Sequence, residues 1–199
     1  MGARDEILAR IRAAGVPDDA ATVSEPGAPR PGDVELFVAR LVDYKANVVV
    51  CGPADMGQAV AEVLGDTGTL VTPDGVPAAW LADFRGTIVE EPVEITALDQ
   101  PGVSVLTGCA VAIAQTGTLV LDAGPGQGRR ALTLVPDHHV CVVHKRQIFD
   151  DVPDALAALE NPTRPLTLIS GPSATSDIEL NRVEGVHGPR RLDVVIVLD

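Results

Sequence analysis

The 199-residue sequence predicts a three-layer α/β fold, and three observations support this prediction. Short β-branched runs alternate with helical segments from residue 47 onward. The first of these runs, Asn47-Val48-Val49-Val50-Cys51, lacks polar alternation and is typical of a strand that helices cover on both faces. Apolar residues make up 46% of the chain, which is enough to bury one sizeable core. The composition therefore favours one main domain.

The first 32 residues are expected to lie outside this core. Ile7, Leu8 and Ile11 mark a short amphipathic helix. Residues 15–33 then hold four prolines and three glycines, and such a stretch cannot sustain the hydrogen-bond ladder of a helix or a strand. We therefore predict two parts: residues 1–32, a helix and a Pro/Gly-rich linker, and residues 33–199, the folded domain.

The first half of the folded domain shows a βα pattern. Asp33 is placed to cap a helix, and a second helix is expected over Met56–Leu64. Short strands are predicted at Thr69–Val71 and Gly86–Val89, with a helical segment at Ala78–Phe84 between them. We expect the parallel part of the sheet to end near residue 100.

The second half is dense in strands with turns between them, which predicts partly antiparallel pairing and hence a mixed sheet. A helix at Asp151–Leu159 and a buried strand at Leu166–Ile169 follow, and Leu192–Leu198 is the last predicted strand. The strands predicted before residue 144 are Val103–Leu106, Val111–Ala114, Thr118–Leu121, Ala131–Val135 and Val140–Val143.

The charge of the chain limits its partners. Lys and Arg number 15 against 28 Asp and Glu, so the formal net charge is −13. Such a surface repels phosphate backbones and anionic lipid headgroups, so neither nucleic acid nor a membrane is an expected partner. The longest nearly apolar stretch, Val103–Ala114, is shorter than a membrane helix, and Met1–Glu6 lacks a signal-peptide pattern. We therefore expect a cytoplasmic protein.

Cysteine and histidine spacing predicts neither a disulfide framework nor a metal site. Cys51, Cys109 and Cys141 are far apart and lie in apolar runs, as buried cysteines do. His139 and His144 are five residues apart and would face opposite sides of one strand. No cofactor or bound metal is therefore expected.

Histidine 187 is the candidate catalytic residue. It lies in a loop between Gly185 and Gly188, and an imidazole titrates near neutral pH, as general acid/base catalysis requires. A lone loop histidine is more often structural or solvated, and that alternative stays open here.

Glycine-bearing loops next to strands are the expected ligand site, because ligands of open α/β sheets bind at strand ends. The loop 124–130 combines three glycines with Arg129 and Arg130, which suit a carboxylate or phosphate, but a hairpin loop with surface arginines fits equally well. It is neither a Walker A loop nor a dinucleotide fingerprint.

The loop that begins at Ser170 can form an anion cradle from backbone donors and a helix N-terminus, although its hydroxyls alone would also shape a turn. We expect these loops to converge on one pocket for a small anion, with Asp177 orienting the turn or His187. The predicted ligand-binding residues are Gln115, Thr116, Gly117, Thr118, Arg129, Arg130, Ser170, Gly171, Ser173, Thr175 and Asp177.

Taken together, the motifs resemble the lactate-utilisation protein C family (LUD domain) over roughly residues 33–199. The resemblance implies a fold similar to the NagB/RpiA/CoA-transferase superfamily, with a Rossmann-like sheet between helical layers. It also implies a role in bacterial growth on L-lactate, beside two partner proteins of an iron–sulfur-dependent system that oxidises lactate to pyruvate. The matching motifs are Ala114–Thr118, the loop 124–130, Leu134–His139, Ser170–Glu179 and Gly185–Pro189.

The sequence departs from this family at one position. Relatives commonly carry Glu before the Thr-Gly-Thr, whereas this chain has Gln115. In CoA transferases of the superfamily a glutamate forms the acyl intermediate, and an amide cannot take that role. The first hypothesis is therefore an accessory subunit that binds a small anion or a partner without a cluster of its own. The alternatives are a stand-alone enzyme acting on a phosphorylated or CoA-linked molecule, and a carboxylate sensor.

Overall fold

A computed structural model describes residues 2–14, 27–175, 183–184 and 188–199, and it confirms the α/β fold class. The helices are α1 (Ala3–Ala13), α2 (Val34–Asp43), α3 (Met56–Leu64), α4 (Ile95–Leu98) and α5 (Val152–Ala157). The strands are β1 (Asn47–Cys51), β2 (Thr69–Thr72), β3 (Thr87–Glu90), β4 (Val103–Gly108), β5 (Val111–Ile113), β6 (Thr118–Leu121), β7 (His138–His144), β8 (Ile148–Phe149), β9 (Thr167–Ile169), β10 (Ala174–Thr175), β11 (Val183–Glu184) and β12 (Arg191–Val197).

The main sheet has six strands in the order β1-β12-β7-β4-β2-β3, and every pairing in it is parallel. The parallel part therefore does not end near residue 100, because β7 and β12 form its centre. Both strands are apolar with little alternation, since each is covered on both faces. Mixed pairing occurs in a second sheet, β8-β5-β6-β9, while β10 and β11 form a short antiparallel pair.

The two faces of the main sheet pack against different layers. On one face, Phe37 and Leu41 of α2 and Leu119 of the second sheet pack against Val194 and Ile196 of β12. The far side of the second sheet is in turn covered by α5. The other face is covered by α3, which spans the residues predicted for it, and by Trp80.

Two predicted strands differ in the structure. The segment predicted as a strand at residues 131–135 contains a 3₁₀ helix over Arg130–Thr133, because Ala131, Leu132 and Val135 pack at helical spacing against one cluster. The strand predicted as buried near residue 168 is β9, at an edge of the second sheet, and its Leu168 is 56% exposed. An edge strand has a neighbour on one side only, so its apolar residues need not be covered.

Helix starts follow the capping residues that the sequence supplies. The Asp33 side chain accepts a hydrogen bond of 2.9 Å from the Leu36 N–H, and Asp151 accepts one of 3.0 Å from the Asp154 N–H. The segment predicted to be helical from residue 78 is a short 3₁₀ turn over Ala78–Leu81. Among the described residues, no helix combines the length and apolarity needed to cross a bilayer.

The end of the predicted linker is attached to the domain. Arg30 lies 2.9–3.0 Å from the carboxylates of Asp150, Asp151 and Asp154. The Gly32 N–H donates to the Ile148 carbonyl at 2.9 Å. In contrast, no residue of α1 is buried.

A row of polar side chains, of which Ser104, His138 and Asp193 are buried, crosses the amino ends of the central strands. His138 Nε2 lies 2.6 Å from Asp193 Oδ2, and His138 Nδ1 lies 2.8 Å from Ser104 Oγ. Ser104 Oγ is also 2.8 Å from the Thr67 hydroxyl, and Arg191 Nε is 2.8 Å from Asp193 Oδ2. We call these five residues the amino-edge network. It connects β12, β7 and β4 to the turn before β2.

The boundary near residue 33 stays a prediction, and truncation tests it. Deleting residues 1–28 keeps Arg30 and should leave the Tm unchanged. Deleting residues 1–32 should still give one cooperative transition, with a Tm lower by at most a few degrees, because the lost Arg30 side chain is 60% exposed and its ion pairs are therefore screened by solvent. Thermal unfolding followed by circular dichroism measures both. An insoluble or molten chain after the shorter deletion would show that α1 or the following segment belongs to the core.

Asp193→Asn should destabilise the fold strongly. The change removes the carboxylate that faces His138 and Arg191, and breaking a buried pair on one side costs about 3–5 kcal/mol. Urea unfolding at pH 7 measures this loss. The matched control is Asp137→Asn, because Asp137 pairs with Arg190 at 3.6 Å on the surface and should change the free energy of unfolding by under about 0.5 kcal/mol.

The same variant should show a weaker acid dependence. Burial alone would raise the pKa of Asp193, but the hydrogen bond from His138 and the charge of Arg191 outweigh burial and lower this pKa. The stabilisation is therefore present above the pKa of the unfolded chain, about 4, and is lost as the pH falls through the folded-state pKa. A gap between wild type and variant that stays constant down to pH 2 would contradict this assignment.

Candidate functional site

The structure brings three of the predicted site residues together. Thr116 Oγ1 lies 2.7 Å from Thr118 Oγ1, which lies 2.8 Å from Ser170 Oγ. These three residues, the hydroxyl cluster, join the β5–β6 turn to the end of β9. The neighbouring Gln115 is exposed, and its backbone N–H donates to the Asp150 carbonyl at 3.1 Å.

The glycines beside the hydroxyl cluster allow close approach to α2. Gly117 has a φ of +60°, and a Cβ there would lie 2.8 Å from the Arg40 Cβ. Gly171 has a φ of +80°, and a Cβ there would lie 2.4 Å from the Tyr44 carbonyl oxygen. Both glycines are therefore required by packing, whatever else the loops do.

One further predicted loop, which contains Gly188 and Pro189, meets the loop that begins at Ser170. The Ser173 N–H donates to the Pro189 carbonyl at 2.8 Å, and Gly188 approaches the Ser173 side chain. The backbone of Thr175 pairs with Val183 in the β10–β11 ladder. Asp177 and His187 lie outside the described residues, so their predicted roles stay predictions.

The two predicted arginines lie elsewhere. Arg129 Nε is 2.6 Å from Glu91 Oε1, and its guanidinium also bonds the Val93 carbonyl. Arg129 and Arg130 border a cleft at the end of β6 where Leu121 pairs with Thr167. The hydroxyl cluster lies at the opposite end of β6, so the structure does not bring these arginines to it.

The glycine-rich loop uses its own N–H groups to hold its shape. The Gly126 N–H donates to the Asp74 carbonyl at 2.7 Å, and the Gly108 N–H donates to the Gly126 carbonyl at 2.8 Å. The Gly124 N–H donates to Asp122 Oδ1 at 2.9 Å. The loop is thus fixed to the carboxyl ends of β2 and β4. The N–H groups of Gly124 and Gly126 already have acceptors within the protein.

A polar cleft of about 390 Å³ opens at the carboxyl edge of the main sheet, between this loop, the turn after β7 and the end of α5. We call it the carboxyl-edge cleft. Parallel sheets bind ligands at this edge. Its lining residues are Cys109, Ala110, Val111, Asp122, Pro125, Gln127, Arg146, Gln147, Phe149, Ala158, Leu159, Glu160 and Arg164.

Asp122 is the buried charge of the carboxyl-edge cleft. Its side chain is 7% exposed, and its Oδ2 lies 3.3 Å from Nη1 of the half-exposed Arg164. Its backbone N–H donates to Gln127 Oε1 at 2.6 Å. Asp122 therefore positions both the loop and one guanidinium of the cleft.

A second guanidinium enters the cleft from the turn after β7. Arg146 Nη1 lies 2.5 Å from Asp199 Oδ2, and His144 Nδ1 lies 3.4 Å from the other oxygen of that carboxylate. Burial alone would raise the pKa of Asp199, but the hydrogen bond from Arg146 and the His144 charge lower it. Gln147 joins the strand ends, because its Nε2 donates to the Cys109 carbonyl at 2.6 Å.

Asp122, Arg146 and Arg164 were missed by the sequence analysis. The available signal was position, since Asp122 directly follows β6 and Arg146 closely follows β7. Arg164 had no such signal, because the segment between α5 and β9 has no regular pattern. Within the residues that the structure describes, no group of three or more His, Cys, Asp or Glu side chains is arranged to hold a metal ion.

Comparisons with known proteins agree with this architecture. The profile of the LUD domain matches residues 104–197. A "Lactate utilization protein C" of Deinococcus radiodurans is 48% identical over 165 residues, which cover 81% of this chain and 77% of that protein. A "Lactate utilization protein C" of a Geobacillus species is 31% identical over 101 residues, 47% of this chain and 42% of that protein.

The crystal structure of a DUF162 family protein from Deinococcus radiodurans has the same fold, with a TM-score of 0.70 and 39% sequence identity. The superposition covers 82% of this chain and 94% of that chain. Sequence and fold thus agree, and the chain belongs to the lactate utilization protein C family of LUD domain proteins.

Proposed function

We propose that this chain acts in lactate utilisation as an accessory subunit of an iron–sulfur-dependent L-lactate oxidation system. The observation that carries this proposal is the 48% identity to a lactate utilization protein C over most of both chains. In this role the chain binds a small, singly charged anion in the carboxyl-edge cleft. The clusters of the system belong to its partner proteins.

The charges of the cleft favour a singly charged anion over a doubly charged one. Arg146 and Arg164 each face a carboxylate of the protein, Asp199 and Asp122, and Glu160 adds a further negative charge to the lining. A carboxylate can bridge the exposed sides of the two guanidiniums. A phosphate dianion would meet three protein carboxylates in the same space, and like charges at short range repel.

The alternative remains an enzyme that acts on a phosphorylated or CoA-linked molecule. The charge balance of the carboxyl-edge cleft disfavours it, and Gln115 lacks the carboxylate for an acyl intermediate. The residues of the hydroxyl cluster stay predicted ligand contacts for this alternative, since hydroxyl groups can donate hydrogen bonds to a phosphate.

The cysteines support the absence of a cluster in this chain. Cys109 and Cys141 are both buried in the core, 4% and 0% exposed. A hydrogen bond to Cys141 together with burial raises the pKa of the Cys109 thiol well above its usual range. Burial and the charge of Asp55 also raise the pKa of Cys51. Only thiolates bind iron well, so these thiols are poor ligands.

Anaerobic reconstitution with iron and sulfide should therefore leave the protein colourless. The measurement is iron per chain after desalting, together with the visible absorption spectrum. A matched control is Cys51→Ser, which should give the same result. A stable brown protein with about four irons per chain would contradict the proposed division of roles.

Calorimetric titration with pyruvate and L-lactate tests the anion site. Arg164→Gln and Arg146→Gln should each weaken binding about tenfold or more, because a hydrogen bond to a charged group contributes about 1.5–3 kcal/mol. Arg85→Gln is the control, since Arg85 is exposed and lies outside the cleft lining. The Tm of each variant shows whether the fold is intact.

Titrations with phosphate and CoA separate the two readings, because tight binding of either would favour the enzyme. The accessory role is tested with the proteins encoded by neighbouring genes. Co-purification, and lactate oxidation that depends on adding this chain, are expected. Full lactate oxidation without it would overturn the role.

A further inference from the structure

A second cleft, of about 260 Å³, lies on the other side of the glycine-rich loop. It is separate from the carboxyl-edge cleft, although Gln127 contributes to both linings. Its walls are mainly apolar and include Leu121, Ala123, Pro165 and Leu166. We call it the Arg130 cleft.

The two arginines of this cleft differ in their partners. Arg129 is neutralised by Glu91 at 2.6 Å and also bonds a backbone carbonyl. Arg130 is exposed and forms no ion pair with any other residue that the structure describes. Within the described part of the chain, Arg130 therefore supplies one positive charge without an acidic partner beside an apolar cavity, on a chain whose net charge is −13.

The backbone of Arg130 is held in place before any ligand binds. It begins the 3₁₀ helix, and its carbonyl accepts a hydrogen bond of 3.1 Å from the Thr133 hydroxyl. Leu132 in the same turn is fully buried, and its N–H donates to the Arg129 carbonyl at 3.0 Å. Such prior ordering reduces the entropy lost on binding.

We propose that the Arg130 cleft binds a monocarboxylate with a short apolar tail. The carboxylate pairs with Arg130, and the tail lies on Leu121, Pro165 and Leu166. One free guanidinium matches one negative charge, and the apolar walls gain nothing from a small polar acid such as lactate. The site is thus distinct in place and ligand from the one proposed above.

Titration of the full chain with hexanoate, butyrate and pyruvate, followed by calorimetry, tests this site. Arg130→Gln should weaken hexanoate binding about tenfold or more, and Arg130→Lys should restore part of it. Each methylene removed from the tail should weaken binding about fourfold, as expected from about 0.8 kcal/mol per buried methylene. Butyrate, which has a shorter tail, should therefore bind more weakly than hexanoate. Arg85→Gln, an exposed arginine outside this cleft, should change nothing.

Three results would overturn the proposal: no saturable hexanoate binding, binding that Arg130→Gln leaves unchanged in a variant of normal Tm, or equal loss in Arg164→Gln. The last result would place hexanoate in the carboxyl-edge cleft. Pyruvate binding that depends on Arg164 and not on Arg130, together with hexanoate binding that depends on Arg130 and not on Arg164, would support both sites independently. If pyruvate does not bind but hexanoate does, the result contradicts only the anion site proposed for the carboxyl-edge cleft.

Discussion

Asp193 and His138 form the buried pair on which the centre of the sheet depends, because β12 connects β1 to every other strand of that sheet. Hydrogen bonds extend from this pair to the turn before β2. Ser104 Oγ lies 2.8 Å from His138 Nδ1 and 2.8 Å from the Thr67 hydroxyl, which donates to the Leu64 carbonyl at 2.6 Å. The pair is thereby connected to β12, β7, β4 and the turn before β2.

The next residue of β7 is also a buried histidine. His139 points to the other face of β7, is fully buried, and bonds Thr107 at 2.8 Å. Burial, and to a smaller extent the charge of His138, lower the pKa of His139 to about 3. One strand thus holds two adjacent histidines that bond different partners on its two faces. At the amino edge the two histidines and Asp193 are buried, whereas at the carboxyl edge the Arg146 and Arg164 side chains are 66% and 42% exposed.

Sequence patterns predicted most of the elements that depend on local chemistry. The cap at Asp33 and the bounds of α3 follow from side-chain types at short range. What the sequence could not give was strand order, because β12 pairs with β1 across nearly the whole chain. The prediction of the ligand-binding residues had the same limit, because it used only local sequence patterns. Arg129 pairs with Glu91, 38 residues away, and no local pattern shows that this guanidinium is already occupied.

The glycine-rich loop shows why residue types alone mislead about anion sites. Three glycines suggested free backbone donors, yet Gly124 and Gly126 donate to Asp122 and Asp74. Gln127 closes the loop by donating its N–H to the Gly124 carbonyl at 3.1 Å and accepting the Asp122 N–H. A loop with these internal hydrogen bonds has fewer backbone N–H groups to offer an anion. It separates two clefts, and the proposed anion recognition in each depends on an arginine beside the loop, Arg164 in one and Arg130 in the other.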